Sequence, residues 1–143
     1  MVIGEYAVLG GAPALVMAVD RLCHVELSQS DDELCHLDIL APALESRSFA
    51  SGEPSGAALI DLVAPAESGR IPWRGKVDTA AFFEQGHKLG TGSSAAVLVA
   101  WGAAWCRFSG KAPEPALEQL IDWHRRFQGG KGSGLDIAAS LTG

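Results

Sequence analysis

Short apolar runs dominate the first half of the chain, and longer periodic ones dominate the second. From Gly4 to Asp20 (GEYAVLGGAPALVMAVD) two such runs are separated by Gly10, Gly11 and Pro13. These residues interrupt regular structure, so the pattern predicts a strand, a tight turn and a second strand in a hairpin-like opening. Leu22 to Ser28 and Leu34 to Leu40 alternate loosely around an acidic break at Asp31, Asp32 and Glu33, and predict two further antiparallel strands. Ser55 to Val63 predicts a helix. Residues 65–75, rich in Pro, Gly and Ser, predict a loop that carries Trp73, and Lys76 to Phe83 predicts one more strand.

The period changes at Ser93. Val97, Trp101, Ala104, Trp105 and Phe108 recur at spacings of three and four, which puts them on one stripe of a helix that Gly110 ends. At this spacing on an Ala-rich helix the aromatic rings read as core and not as a base-stacking platform. Glu114 to Phe127, opened by Pro113 and Pro115, predicts a second helix with Leu117, Leu120, Ile121 and His124 on one side. Strands first and helices later describe an α+β domain.

With 143 residues, 48% hydrophobic and 20% charged, the chain is long and apolar enough for one globular domain with its own core. A formal net charge of -6 sets up the wrong field for a polyphosphate backbone, which argues against nucleic acid as a partner. An anionic small molecule would need a locally positive pocket. Cys23, Cys35 and Cys106 cannot all pair with one another, and the N-terminus lacks the basic, apolar, small-residue order of a signal peptide. Reduced thiols in a cytoplasm are the expectation. The most apolar stretch, Ala95 to Cys106, is well short of the roughly 20 residues that span a bilayer, so no membrane association is expected. Cys23-His24 and Cys35-His36 invite a zinc reading. Neighbours on a strand point to opposite faces, however, and such a pair does not readily converge on one metal.

Two glycine-rich segments carry the candidate chemistry. His87 to Ala96 (HKLGTGSSAA) places Gly90, Thr91, Gly92, Ser93 and Ser94 directly before the best helical pattern in the chain. Glycines let a backbone approach phosphate closely, the free N–H groups of the helix start point outward, and the positive end of its dipole favours an anion. The segment is not a Walker A loop, because no Gly-Lys-Ser/Thr closes the pattern. A glycine-rich turn before a Ser N-cap would look the same. Lys88 stands in the same loop as a charge that would neutralise phosphate. The second segment, Gln128 to Gly143 (QGGKGSGLDIAASLTG), holds one carboxylate, Asp136, between Gly-Ser-Gly and an apolar run. Asp136 would therefore sit in the first turn of a helix, either facing a substrate hydroxyl or merely stabilising the helix dipole. Two glycine-rich loops that each open a helix, one with a lone Asp, suit phosphoryl transfer.

GEYAVLGGAPALVMAV resembles the opening motif of the GHMP kinases (galactokinase, homoserine, mevalonate and phosphomevalonate kinases). KLGTGSSAA resembles their phosphate loop, and QGGKGSGLDIAAS the loop that carries their catalytic aspartate. The three occur in the family's order and span nearly the whole chain. Within the family, Glu5-Tyr6, Lys88 ahead of the phosphate loop and Gln128-Gly129 ahead of Gly-Ser-Gly look like the phosphomevalonate branch. Arg125 stands where mevalonate kinases carry a metal-binding Glu, which speaks against mevalonate as substrate.

The resemblance implies a ribosomal-protein-S5-domain-2-like fold over residues 1–143, with ATP and magnesium as cofactors. Asp136 and Lys88 would be catalytic. Gly90, Thr91, Gly92, Ser93, Ser94 and Ala95 would bind the nucleotide, with Ser94 also facing the metal. Glu5, Tyr6, Ser133 and Gly134 would bind the small-molecule substrate. Thr91 departs from the usual Leu of the loop, a tolerable change where the backbone does the binding. Family members are longer, with a C-terminal domain and an upstream Pro-Gly-Lys that do not occur here. The expectation is a clipped, inactive kinase domain that pairs with its missing half or with a second copy. The alternatives are another GHMP kinase, a non-catalytic nucleotide- or metabolite-binding domain, and a structural domain that contacts RNA, which the acidic balance opposes.

Overall fold

A computed structural model describes residues 3–4, 7–64, 71–111 and 114–143. Four strands form the main sheet: β1 (His24–Gln29), β2 (Leu34–Ile39), β3 (Glu45–Ala50) and β4 (Trp73–Asp78). Their order is β1-β4-β2-β3. β1 pairs antiparallel with β4, β2 antiparallel with β3, and β2 parallel with β4. Side chains alternate across the sheet as the period of two requires. Cys35, Leu37, Trp73, Gly75 and Val77 are buried on one face, while Arg74 and Lys76 lie exposed on the other.

Among the described residues four helices pack with the sheet: α1 (Ala58–Val63), α2 (Ser93–Ser109), α3 (Leu117–Phe127) and α4 (Leu135–Thr142). A small hairpin, β5 (Phe83–Glu84) with β6 (His87–Lys88), leads into α2. Its turn places Gln85 and Gly86 at φ of 50 and 80, as a tight hairpin turn demands. The core joins Leu37 and Val77 of the sheet to Leu98 and Trp101 of α2, Leu120 of α3 and Ile137 of α4. Leu37 and Leu98, fully buried, each contribute about 1.5–3 kcal/mol of apolar burial. The arrangement is an α+β domain with a mostly antiparallel sheet, as the sequence predicts. No helix among the described residues is long and apolar enough to cross a membrane.

α2 and α3 follow the periodicity closely. The stripe of α2 buries Leu98, Trp101 and Trp105, Gly110 closes the helix at φ 66, and α3 buries Leu120 and His124. Four expectations need correction. Among the described residues, the N-terminal hairpin shows one antiparallel bridge, between Ile3 and Leu15, with a short 3-10 turn over Ala7–Gly10. The helix expected from Ser55 starts at Ala58 instead. Asp61 explains this: its carboxylate accepts from Ser55 N (2.8 Å), Ser55 Oγ (2.6 Å) and Gly56 N (3.1 Å), holding those residues in a capping loop.

The third correction concerns Trp73. It lies in β4 and not in a loop, is 6% exposed, and meets Phe49 and Trp101 edge-on with ring centroids 5.4 Å apart in both cases. β4 accordingly starts before Lys76 and stops at Asp78, whose Oδ1 accepts from Ala80 N (2.9 Å) and turns the chain. The fourth is β3, an edge strand that the sequence reading misses. Only Arg47 and Phe49 of ESRSFA are even half-buried, so its apolar signal is faint. Cys35 is buried while His36, on the opposite face, contacts Ser48 and Asp32. The pair thus diverges as adjacent strand residues should.

Candidate functional site

The loop before α2 is shaped by glycine. Gly90 and Gly92 hold φ of 71 and 87, the left-handed region that other residues seldom enter. Gly92 is the N-cap, and no side chain caps this end. The N–H groups of Ser93, Ser94 and Ala95 therefore have no partner within the helix and stand at the positive end of its dipole. Thr91 is exposed; Ser93 and Ala95 are buried.

α4 is placed by a second glycine. Gly134, its N-cap, has φ 79, and a Cβ there would lie 2.8 Å from Ile121 Cγ1, so the loop rests directly on α3. Arg125 Nε donates to Gly132 O (3.1 Å) and ties the same loop down from α3. Ser133 Oγ accepts from Leu135 N (3.4 Å). Asp136 follows in the first turn, its side chain 40% exposed and its Oδ1 accepting from Ile137 N (3.0 Å).

α2 packs against α4, and the two loops, some forty residues apart in sequence, open on one cleft. The cleft encloses about 970 Å³, with Gly90, Thr91 and Gly92 on one side and Ser133 and Asp136 on the other. Ala96, Val99 and Ala100 of α2 form its floor, and Arg21 and Lys131 add two cations. In a chain of net charge -6 this is a locally positive pocket of the kind an anionic ligand needs. Lys131 was legible as the one basic residue inside the second glycine-rich segment. Arg21 carries no such signal.

Lys88 falls elsewhere. It is exposed on β6 and lines a smaller cavity of about 360 Å³ together with Ser93 and Ser94, apart from Asp136. Glu5 and Tyr6 lie outside the described residues.

His124, 2% exposed, contacts one residue from the lining of each cavity. Its Nε2 is 3.2 Å from Ser94 Oγ and its Nδ1 is 3.5 Å from Asp136 Oδ2. Phe127 stacks on its ring at 6.4 Å. Burial pushes the imidazole below its ordinary range, and the Asp136 carboxylate opposes that shift. Sequence reasoning placed His124 on the buried stripe of α3 but gave it no role.

No group of three or more His, Cys, Asp or Glu side chains able to hold a metal occurs among the described residues. Magnesium does not require one, since it is commonly held by one or two protein oxygens plus the phosphates of its substrate. The hydroxyl of Ser94 and the carboxylate of Asp136 are each an oxygen donor of that kind, and because the His124 ring lies between them a single ion would take one of the two.

No protein-family model matches the chain. Among curated proteins it is 32% identical to a phosphomevalonate kinase from Streptomyces sp. (strain CL190), over 99% of this chain and 45% of that protein. Among solved structures it is similar to the Lin0012 protein from Listeria innocua (TM-score 0.69, 26% identity, 99% of this chain and 43% of the other). It also matches the fold of a mevalonate kinase (TM-score 0.71, 16% identity, 97% of this chain and 48% of the other). The chain thus spans less than half the length of each.

Proposed function

We propose that this chain, related to the GHMP kinases in sequence and in fold, carries the phosphate loop and the base of an ATP-dependent small-molecule kinase. The observation that supports this reading most is the shared cleft. Gly90, Thr91 and Gly92, which lead into α2, line the same space as Asp136, a carboxylate in the first turn of α4.

Phosphoryl transfer asks a protein mainly for positioning, charge neutralisation and a group that handles the attacking oxygen. Backbone N–H groups from Gly90 to Ala95 hold phosphate oxygens in this reading, with the hydroxyls of Ser93 and Ser94 as added donors. Ser94 offers an oxygen to magnesium, and Lys88 neutralises charge from the neighbouring cavity. Asp136 orients the attacking oxygen and takes its proton. Ser133, Gly134, Lys131 and Arg21 hold the anionic groups of the acceptor. Bound magnesium ATP supplies the transferable phosphoryl group.

Phosphomevalonate is the first choice of acceptor, by likeness to the Streptomyces enzyme, which would place the protein in isoprenoid precursor synthesis. Free thiols at Cys23, Cys35 and Cys106 agree with a cytoplasmic setting. Leu9, Met17 and Leu22 line the cleft yet are 61%, 67% and 62% exposed, and this apolar rim is where a C-terminal domain or a second copy would complete the site.

The test has two arms. Calorimetry titrates magnesium ATP into the protein. A coupled assay then follows ADP release from the longest form of the protein with phosphomevalonate, mevalonate, galactose or homoserine. Turnover of phosphomevalonate supports the full reading, and turnover of another acceptor corrects the substrate. ATP binding without any turnover reduces the protein to a binding domain. Absence of both ATP binding and turnover overturns the proposal.

A further inference from the structure

We infer that His124 is a positioning residue which couples Asp136 to Ser94, holding the carboxylate with one ring nitrogen and orienting the serine hydroxyl with the other. The inference rests on the kinase reading above for its consequence, but its structural content stands on three residues from three helices. His124 belongs to α3, Ser94 to the first turn of α2 and Asp136 to the first turn of α4. The imidazole is 2% exposed, 3.2 Å from Ser94 Oγ through Nε2 and 3.5 Å from Asp136 Oδ2 through Nδ1.

Proton counting selects one arrangement. A neutral imidazole carries one N–H. With the proton on Nδ1, the ring donates toward the carboxylate, and bare Nε2 accepts the Ser94 O–H. Both lone pairs of the serine oxygen then remain free to face the smaller cavity that Ser94 lines. With the proton on Nε2 instead, bare Nδ1 would confront a carboxylate oxygen at 3.5 Å with no hydrogen between two acceptors. The Nδ1–H form leaves no pair of acceptors facing each other. At 3.5 Å its approach to Asp136 is an electrostatic contact longer than a hydrogen bond, of the kind that tightens when substrate closes a site.

The consequence concerns where the two oxygens sit. Asp136 is 40% exposed and lies on an eight-residue helix, where its Oδ1 accepts from Ile137 N (3.0 Å) and its Oδ2 faces the ring. A buried ring, with Phe127 near-parallel to it on one side, gives the carboxylate a partner held by packing. The same ring turns the Ser94 hydroxyl so that an oxygen lone pair, not a proton, is presented to a bound cation. Partners of this outer kind commonly govern activity 10- to 100-fold.

The tautomer is read directly by long-range 1H–15N correlation spectra of the 15N-labelled protein at neutral pH, without substrate. We expect the Nδ1–H pattern for His124 in the native chain, with that preference lost in Asp136→Ala. A predominant Nε2–H pattern, or a spectrum that Asp136→Ala leaves unchanged, overturns the inference whether or not the protein is a kinase. In the longest active form, His124→Ala should lower kcat by about 10- to 100-fold with KM for ATP changed only a few-fold. His124→Asn, which keeps a donor near the Nδ1 position, should recover part of that loss. Full activity in His124→Ala sinks the inference and leaves the kinase reading intact. Absence of turnover in the native protein counts against the kinase reading, and the spectra then decide the inference alone.

Discussion

The edge of the six-membered ring of Trp101 rests against the backbone at Gly75. A Cβ built on that glycine would come 2.7 Å from Trp101 Cη2, 2.9 Å from its Cζ3 and 3.0 Å from Trp73 Cζ3. Both rings are rigid and sit in a packed core, so neither can swing away cheaply. Gly75 sets how closely α2 approaches the sheet, and through α2 it sets the height of the phosphate loop.

Gly75→Ala should therefore destabilise the protein by about 1–3 kcal/mol, the usual cost of forcing an extra methyl into a full core. Urea denaturation followed by tryptophan fluorescence measures it. An unchanged midpoint would mean that the Trp101 ring does not rest on β4 as described.

Gly75 also illustrates what was legible in the sequence. The stripe on α2 identified Trp101 and Trp105 as core because helical periodicity reports burial directly. Trp73 was misread because Pro72 beside it and the Pro, Gly and Ser residues before it signal a loop, whereas only the tertiary partners Phe49 and Trp101 reveal a strand. β3 escaped for the opposite reason: it is an edge strand whose partner supplies the pairing that its polar sequence does not advertise. In the site, the two glycine-rich loops and Asp136 stood out individually, but nothing local says that segments forty residues apart share a cleft. That juxtaposition came from likeness to a family. His124 was invisible as a functional group because a histidine on an apolar stripe reads as core, which it also is.

The thiol of Cys23 lines the large cleft, and burial, aided by the Asp78 carboxylate, pushes it up to about 12. The shift favours the neutral thiol, so at pH 8 the reactive thiolate is a very minor form. Cys35 is 1% exposed and Cys106 is 8% exposed, so access limits both. Native protein should resist iodoacetamide at pH 8 for hours, and all three cysteines should label within minutes in concentrated urea. Mass spectrometry counts the adducts. Fast single labelling of Cys23 in native protein would contradict the placement of its side chain beside Asp78. The same shift makes stability fall as pH rises above about 9, where the unfolded thiol ionises and the folded one does not.

Asp136→Asn removes the charge while keeping the shape of the side chain. In the proposed mechanism the carboxylate acts on the attacking oxygen and not on the nucleotide, so kcat should fall by about a hundredfold or more while ATP affinity stays within a few-fold. Steady-state kinetics and calorimetry on the longest active form separate the two quantities. Near-normal turnover would remove Asp136 from the role of base, and a large loss of ATP affinity would assign it to the nucleotide instead.

The phosphate loop yields the most discriminating comparison, because two adjacent residues should respond in opposite ways. Gly92 has φ 87, and a Cβ there would meet nothing within 4 Å, so the obstacle to a side chain at this position is the backbone conformation itself. Val at Gly92 would be forced out of the left-handed region that β-branched residues avoid, and the loop would have to rearrange just where it lines the cleft. Thr91 is exposed and lies outside α2, so Thr91→Leu changes the side chain but not the path of the backbone. If backbone N–H groups cradle the phosphates, Gly92→Val should weaken magnesium ATP binding by at least about tenfold, and Thr91→Leu should be nearly neutral. Calorimetry on both variants, with circular dichroism to verify that α2 is retained, measures the contrast. Equal losses at the two positions would shift the recognition to side chains. No loss at either would make the loop an ordinary helix-capping turn, with phosphates held elsewhere in the cleft.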